Sequence, residues 1–561
     1  MQPEQIFVLD VSTISYTEQV CAAALQGLVN RVEARIFLDF GIYDDPQARR
    51  TNEIFLDDDI WFNKFREILG NQDRHNLTYY RDAHGLAVIE VESLDQLIRQ
   101  FRGSLNGCVV WDTDLPDTVN VAIMLAAQEG LLAVNANLLP QAESQNLHVV
   151  HDLRGRWQNR LDLTQWTYEN LFNKCKPGKV ACIEPGWQRP EFIDYVVREK
   201  IFTYNLSSQY KGLAQNLLLL LAFGPAWLRE LIFALSLDGL IRNLAVRLLG
   251  RSSLEIRLNN RIQQNIKAES YPTIFGWHTK RDDELTFMLL LSANGLRLVP
   301  SHLAANFSFH AAVTPLNIKP AVAETEAPPA LDPQGTYLTF TLSDGDQLMM
   351  MSTGELGSWR STQRGQIPFN WEVQPLLIEL APALLEKFRT QATPNDCLIA
   401  GPSGAGYIIP PLAPHPERYL QETNRICRLA GIQVITSYVA DPPKRVLFQL
   451  GKNSQGIIGY LSGYAVLGRA PQMLLQDSVF IANQVPTVNQ LWDNADKLLE
   501  SIREIANHPT SQRPRFIGVH LFSYRTSYDD VVKFVSSINN PHIHVVRADT
   551  FLKLAKQHLQ K

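Results

Sequence analysis

The chain opens on a short apolar run, QIFVLD at 5–10. A stretch with apolar residues at helical spacing follows, TEQVCAAALQGLVNRVEA, and then a second apolar run, ARIFLDF at 34–40. Buried strand, amphipathic helix and buried strand in that order make a β-α-β unit, which needs parallel strands. The alternation continues through LAVIEV (86–91), a helix at 93–101, GCVVWD (107–112), a helix at 118–129 and LLAVNA (131–136). Residues 1–150 therefore read as an N-terminal α/β domain. Residues 151–310 read as a second α/β region, with a loop and helix at 152–172, a strand at 179–185 and a long helical stretch at about 207–266 that has the character of an insertion. A Pro- and Ala-rich segment without period, 311–336, marks a linker. Beyond it, strand candidates at 337–343, 396–401, 433–439, 445–450, 456–461, 478–482, 515–523 and 542–548 are interspersed with helices at 375–389, 415–430, 488–507 and 527–538. Many short apolar strands separated by helices predict a distorted, TIM-like β/α barrel over 337–561, with its site at the C-terminal ends of the strands.

Composition narrows the classes. The 561 residues carry 52 basic and 57 acidic side chains, for a net charge of −5. That balance argues against a dedicated nucleic-acid binder, which shows a basic excess. The six cysteines form no CxxC pair, too sparse for a disulfide scaffold and wrongly spaced for zinc. They fit a reducing compartment. MQPEQIFVLDVS has no basic region leading into an apolar one, so the expected location is cytoplasmic.

Residues 212–228, GLAQNLLLLLAFGPAWL, are uncharged, but Gln215, Asn216 and Pro225 interrupt them and Arg229 and Glu230 follow at once. A spanning helix needs about 20 mostly apolar residues. The reading is a helical hairpin with no transmembrane span. Peripheral membrane contact through 212–250, with Arg229, Arg242, Arg247 and Arg251 near lipid head groups, is the alternative.

Candidate chemistry concentrates after the barrel strands. Ser343, Asp344, Gly345 and Asp346 follow YLTFTL directly. Two carboxylates two apart at a strand end could act as acid, base or nucleophile at a glycosidic bond, or could offer hard oxygens to a divalent cation. An Asx-type turn would account for the same residues. In the segment 352–382, Trp359, Arg364, Trp371 and Glu372 fall in a loop before a helix, where flat rings suit stacking on sugar faces. GPSGAGYIIPP at 401–411 brings Ser403, Gly404, Gly406 and Tyr407 to another strand end, its glycines allowing backbone to approach a ligand. The prolines that follow argue against a phosphate loop. His520, near the end of RFIGVHLFSY with Tyr524 and Arg525 just after it, could face the same mouth. His542 and His544 read as structural.

GAGYIIP at 404–410 resembles the signature of the GxGYxYP family, a group of candidate glycoside hydrolases, with Ile409 where the family prefers Tyr. SDGDQ (343–347) is similar to the family's S-D-G-D-N, with Gln347 for Asn. IPFNWEVQPLLIELAP (367–382) and TPNDCLIAGPSGAGY (393–407) resemble its further segments. In the N-terminal half LQGLVNR, DLRGRW, Gly276–Trp277 with Glu284, and NFS at 306–308 do the same, in the same order. The resemblance implies a glycosidase-like barrel preceded by smaller α/β domains, and carries no established catalytic pair.

The leading expectation is a glycoside hydrolase acting on a carbohydrate through Asp344, Asp346 and Glu372. Trp359, Trp371, Ser403, Gly404, Gly406, Tyr407 and His520 would line the substrate site, with no cofactor required. One alternative is a metal-dependent, deacetylase-like hydrolase in which Asp344, Asp346 and His520 hold a divalent cation. The other is a carbohydrate-binding protein without catalysis.

Overall fold

The structure, a computed structural model, describes residues 5–41, 73–186, 190–316, 328–352, 356–439, 441–462, 473–476, 478–481, 496, 499–500, 502–504, 513–521, 523 and 526–560. The expected helix at 488–507 falls largely outside this set, as do Tyr524 and Arg525. The N-terminal half holds three small sheets, each parallel. Gln5–Asp10 lies between Ile36–Asp39 and Ala87–Val91, and Gly107–Val110 between Leu131–Val134 and Val149–Asp152. The second of these sheets runs across position 150. The third contains Lys179–Cys182, Phe202–Tyr204, Thr273–Gly276 and Arg297–Pro300. Helix Tyr16–Val29 starts with a capping box at Ser15 and Glu18, which satisfies two otherwise orphaned backbone donors.

The C-terminal sheet has nine strands. Neighbours run Thr336–Leu342, Phe369–Val373, Asp396–Ala400, Val434–Ser437, Gly459–Ser462 and Ser478–Ile481 in chain order. Arg515–Leu521 returns to pair along the whole other edge of Thr336–Leu342. This is the order of a β/α barrel. Among the described residues, no pairing joins Ser478–Ile481 to Arg515–Leu521, and the described strands form a curled sheet.

What fills the curl is the last helix, Ala548–Leu559. Its Phe551, Leu552 and Ala555 form one apolar cluster with Tyr337, Val434, Leu461, Val479 and Phe516, drawn from five strands. Residues that far apart across a sheet converge on one helix only where the sheet wraps around it. Side chains alternate along each strand. Tyr337, Thr339 and Thr341 therefore share the concave face with Asn370 and Glu372, with Thr436, and with Phe516 and His520. Asn370 confirms the pairing: its amide nitrogen donates to Thr339 Oγ1 at 2.8 Å, and its oxygen accepts from the Ala548 backbone at 2.7 Å. The concave face is thus apolar where the helix sits and polar toward the C-terminal strand ends.

Two expectations fail at element level. Phe369–Val373 is a strand, where a loop was expected. KRVLFQLGK at 444–452 is a helix, where RVLFQL was read as a strand. The buried Val446, Leu447 and Leu450 occupy positions i, i+1 and i+4, a helical stripe.

Candidate active site

Three carboxylates from two adjacent strand ends meet at the polar end of the curl. Asp344 follows Thr336–Leu342, and Glu372 is the fourth residue of Phe369–Val373, facing inward. The Asp344 backbone N–H donates to Glu372 Oε2 at 3.1 Å. Asp344 stands in the left-handed region, φ +69°, a conformation that Asp tolerates better than most residues. That turn redirects the chain so that its side chain gathers donors: Ser343 Oγ and Ser523 Oγ each reach Oδ2 at 3.1 Å, and Gln347 Nε2 lies 3.4 Å from Oδ1. Two glycines make the assembly fit. A Cβ at Gly345 would strike the carbonyl oxygen of Glu372, and a Cβ at Gly401 would strike the side chain of Asp346. Gln374 donates to the Asp346 carbonyl at 2.9 Å, tying the second strand to the turn.

The electrostatics follow from burial of like charges. Asp344, Asp346 and Glu372 are all buried. Loss of solvation, then the charges of Asp344 and Glu284, push the Asp346 carboxyl well above the usual carboxylate range. Loss of solvation and the neighbouring Asp346 push Glu372 up as well, against the hydrogen bond that Thr436 donates to Glu372 Oε1 at 2.5 Å. His520 lies with Nε2 3.8 Å from Glu372 Oε1. Burial pulls its imidazole down to about 3, so the ring is neutral at physiological pH.

A second wall comes from the third N-terminal sheet. Tyr407 pairs through its backbone with Leu298, at 2.7 and 2.8 Å. Its hydroxyl donates to Glu284 Oε1 at 2.8 Å, and its ring lies 4.9 Å from that of Tyr438. Glu284 stays open to solvent, yet the protein packed around its carboxyl pushes it up to about 7. Trp277, half-buried, stacks on His302 at 5.0 Å, and the His278 ring lies 6.4 Å from Phe287 on the helix that Glu284 opens.

The expected site residues divide. Asp344, Asp346, Glu372 and His520 converge, and Tyr407 stands across from them through Glu284. Trp359 and Trp371 do not join them. Trp371 alternates with Glu372 and therefore points to the convex side, where it is 0% exposed and donates to Asp396 Oδ1 at 2.8 Å. Trp359, 2% exposed, packs edge-on against it at 5.1 Å and carries Arg364 over its face at 4.1 Å. Both are core, with no ring free for a sugar. Ser403 Oγ is spent on the Ile408 carbonyl at 3.2 Å and on the Tyr438 N–H at 3.3 Å. Gly404 and Gly406 make room for Thr423 and for Arg297 respectively, so their close approach is to protein. His542 and His544 both bond Asp332, at 2.9 and 3.0 Å, away from the site. Among the described residues, no three His, Cys, Asp or Glu side chains are arranged to hold a metal ion. Sequence reasoning missed Thr436, Ser523 and Tyr438 as neighbours of the carboxylates. It had Glu284 only as part of the family resemblance.

Parallel strands with carboxylates gathered at their C-terminal ends define an α/β protein with one candidate site, and comparison makes the family specific. Residues 334–556 match the "GxGYxYP putative glycoside hydrolase C-terminal domain", 105–175 match the family's N-terminal second domain, and 229–312 match its third domain. The chain belongs to the GxGYxYP family. The third-domain match takes in the helices from 229 onward, so that part of the helical stretch lies within the family pattern. A solved structure from Bacteroides thetaiotaomicron VPI-5482, described as a "putative hydrolase", aligns with 100% of this chain and 96% of its own at a TM-score of 0.73 and 17% identity. At that identity the likeness shows the fold. No curated protein matches.

Proposed function

We propose that this protein hydrolyses glycosidic bonds at the polar end of its curled C-terminal sheet, using Asp344, Asp346 and Glu372. The observation that carries the reading is the burial of three carboxyls together at adjacent strand ends, two of them pushed far above the usual range. Glycoside cleavage asks for one carboxyl that keeps a proton to give to the leaving oxygen and one that accepts or attacks. Asp346 and Glu372, coupled and buried, supply the first. Asp344, held by two hydroxyls and an amide, supplies the second. Thr436 fixes Glu372 in place, and the neutral His520 lies beside it. Glu284, held by the Tyr407 hydroxyl, and the half-buried Tyr438 face the carboxylates from the other side. Family membership supports a carbohydrate substrate. A cytoplasmic location is part of this reading and would bring the protein imported oligosaccharides or intracellular glycans. So is a division of the chain into N-terminal α/β units, a linker around 311–336 and a catalytic C-terminal unit.

The test is turnover of a panel of aryl glycosides and oligosaccharides by the native chain and by Asp344→Asn. Activity in the native chain, lost in the variant at unchanged unfolding temperature, supports the assignment. Full activity in Asp344→Asn sinks it. Proton NMR of the first-formed anomer then separates a retaining from an inverting pair. Activity abolished by a chelator and restored by zinc would transfer the site to a metal-dependent hydrolase.

A further inference from the structure

The helical stretch after the third-sheet strand Phe202–Tyr204 folds as four short helices, Leu213–Phe223, Ala226–Ala234, Asp238–Leu249 and Leu254–Gln264. Among the described residues no single helix is long and apolar enough to cross a bilayer, and the first two bend by 94° at Gly224–Pro225. Their inward faces are ordinary core: Leu218, Leu221, Ile232, Phe233, Ala245 and Leu249 are buried. Their outward faces are not polar, as a surface helix requires. Trp227 is 69% exposed, Leu235 59% and Leu240 68%, with Leu231 and Leu244 about half exposed. Phe448, 72% exposed, stands on the helix Lys444–Lys452. That helix is fastened to the hairpin by Arg445, which bonds the Phe233 carbonyl and Ser236, and by the Lys444 N–H on Glu230. Isolated exposed leucines need no explanation, but a concentration on adjoining helices does.

Charge decides what covers this face. The chain as a whole is acidic, net −5, but residues 207–266 contain seven basic and three acidic side chains. All three acids are engaged. Glu230 accepts from Lys444, Asp238 faces Arg242 and Arg445, and Glu255 pairs with Arg281. Two of the arginines expected near head groups are not available: Arg229 is buried on Asp441 at 2.6 Å, and Arg242 is buried beside Asp238. Arg247 and Arg251 are exposed, and among the described residues their guanidinium groups have no ion pair or hydrogen bond. An apolar face led by a Trp and flanked by uncompensated arginines matches an anionic lipid surface in both of its parts, acyl boundary and head groups.

We propose that helices Ala226–Ala234 and Asp238–Leu249 dock this protein peripherally on anionic membranes, with Trp227, Leu231, Leu235 and Leu240 entering the interface and Arg247 and Arg251 on the phosphates. The proposal does not depend on the reaction assigned to the carboxylates. It is tested by co-sedimentation of the full chain with phosphatidylcholine vesicles, with and without phosphatidylglycerol. Binding to the anionic vesicles is expected to be at least tenfold tighter than to the neutral ones, and to weaken as salt rises, since exposed charges are screened beyond about 10 Å at 0.1 M salt. Trp227→Glu combined with Leu240→Glu abolishes it. Arg247→Glu with Arg251→Glu weakens it about tenfold at an unchanged unfolding temperature. Hydrogen exchange of the native chain supplies a measurement independent of any variant: vesicles should slow exchange in 226–249. Absence of binding to anionic vesicles, or binding unaltered by Trp227→Glu and Leu240→Glu, overturns the proposal. So does a native dimer that those substitutions convert to monomer, which would assign the face to a second copy of the chain.

Discussion

At the level of single residues, the carboxylate cluster is in conflict with folding, and that conflict is measurable. A carboxyl whose pKa is raised in the folded chain keeps its proton at a pH where the unfolded chain has lost it. The stability it contributes is complete below the unfolded value of about 4 and is lost as pH rises toward the folded value. Asp346 is raised by burial and by the charges of Asp344 and Glu284, and Glu372 by burial and by Asp346, so the native chain should lose stability steadily as pH rises from about 4 through neutrality. Asp346→Asn removes a buried charge while keeping the shape. Its expected signature is an unfolding temperature above that of the native chain at pH 8, no such advantage at pH 5, and no turnover. A variant less stable than native at pH 8 would show that the Asp346 charge is compensated, contrary to the geometry here. Gly345→Ala should do the opposite. Its methyl meets the Glu372 carbonyl, and relief of that overlap costs about 1–3 kcal/mol and displaces the acid. Both stability and activity fall together, as a thermal melt beside an assay would show. Asp344 and Asp346 were legible in the sequence because two carboxylates around a glycine at a strand end are unusual. Ser523 and Thr436 were not, because hydroxyls at strand ends carry no signal until the sheet brings them together.

One strand separates what sequence reasoning got right from what it missed. FNWEV at 369–373 alternates in period two, with Phe369, Trp371 and Val373 on the convex side and Asn370 and Glu372 on the concave one. Polar residues facing into the curl mask the apolar run that usually marks a buried parallel strand. Read as a loop, the segment offered Trp and Glu to the same ligand. Read as a strand, it must send them to opposite faces. Trp359 and Trp371 then become a stability matter. Trp359→Ala removes a ring packed on Trp371 and Phe388 and should cost about 3–5 kcal/mol while leaving the affinity for substrate unchanged. A raised KM at native stability would return these rings to the substrate. The same lesson in reverse holds at 444–452, where apolar residues at i, i+1 and i+4 looked like a strand because only six residues were read. The N-terminal β-α-β succession from Gln5 to Val134, by contrast, was largely legible, since its strands are mostly apolar, whereas the edge strand Val149–Asp152, VVHD with both ends exposed, carried no apolar run to mark it.

In the whole molecule, the site belongs to two sheets, which no local pattern could reveal. Arg297, buried at the start of its strand, donates to Thr273 Oγ1 at 2.8 Å and to the Ala405 carbonyl at 3.0 Å, with Glu422 at 3.9 Å. It thereby fixes the glycine-rich loop of the C-terminal unit to the third N-terminal sheet. The neighbouring Leu298 pairs with Tyr407, and Tyr407 carries the link on to Glu284. The family signature is thus, in this chain, largely a joint: Gly404 and Gly406 allow the close approach, and Tyr407 is its polar end. If the joint positions the facing wall, removing the Tyr407 hydroxyl should disturb function more than folding. A hydrogen bond to a carboxyl contributes about 1.5–3 kcal/mol, and Tyr407→Phe keeps the ring and its contact with Tyr438. We expect Tyr407→Phe to unfold within a few degrees of the native chain and to lose roughly tenfold or more in kcat/KM. The profile should also shift toward alkaline pH, because the hydroxyl's hydrogen bond favours the charged form of Glu284: without it Glu284 keeps its proton above the native value of about 7. A Tyr407→Phe profile parallel to the native one at every pH would reduce the tyrosine to a structural clip and leave the carboxylates to act from one sheet alone.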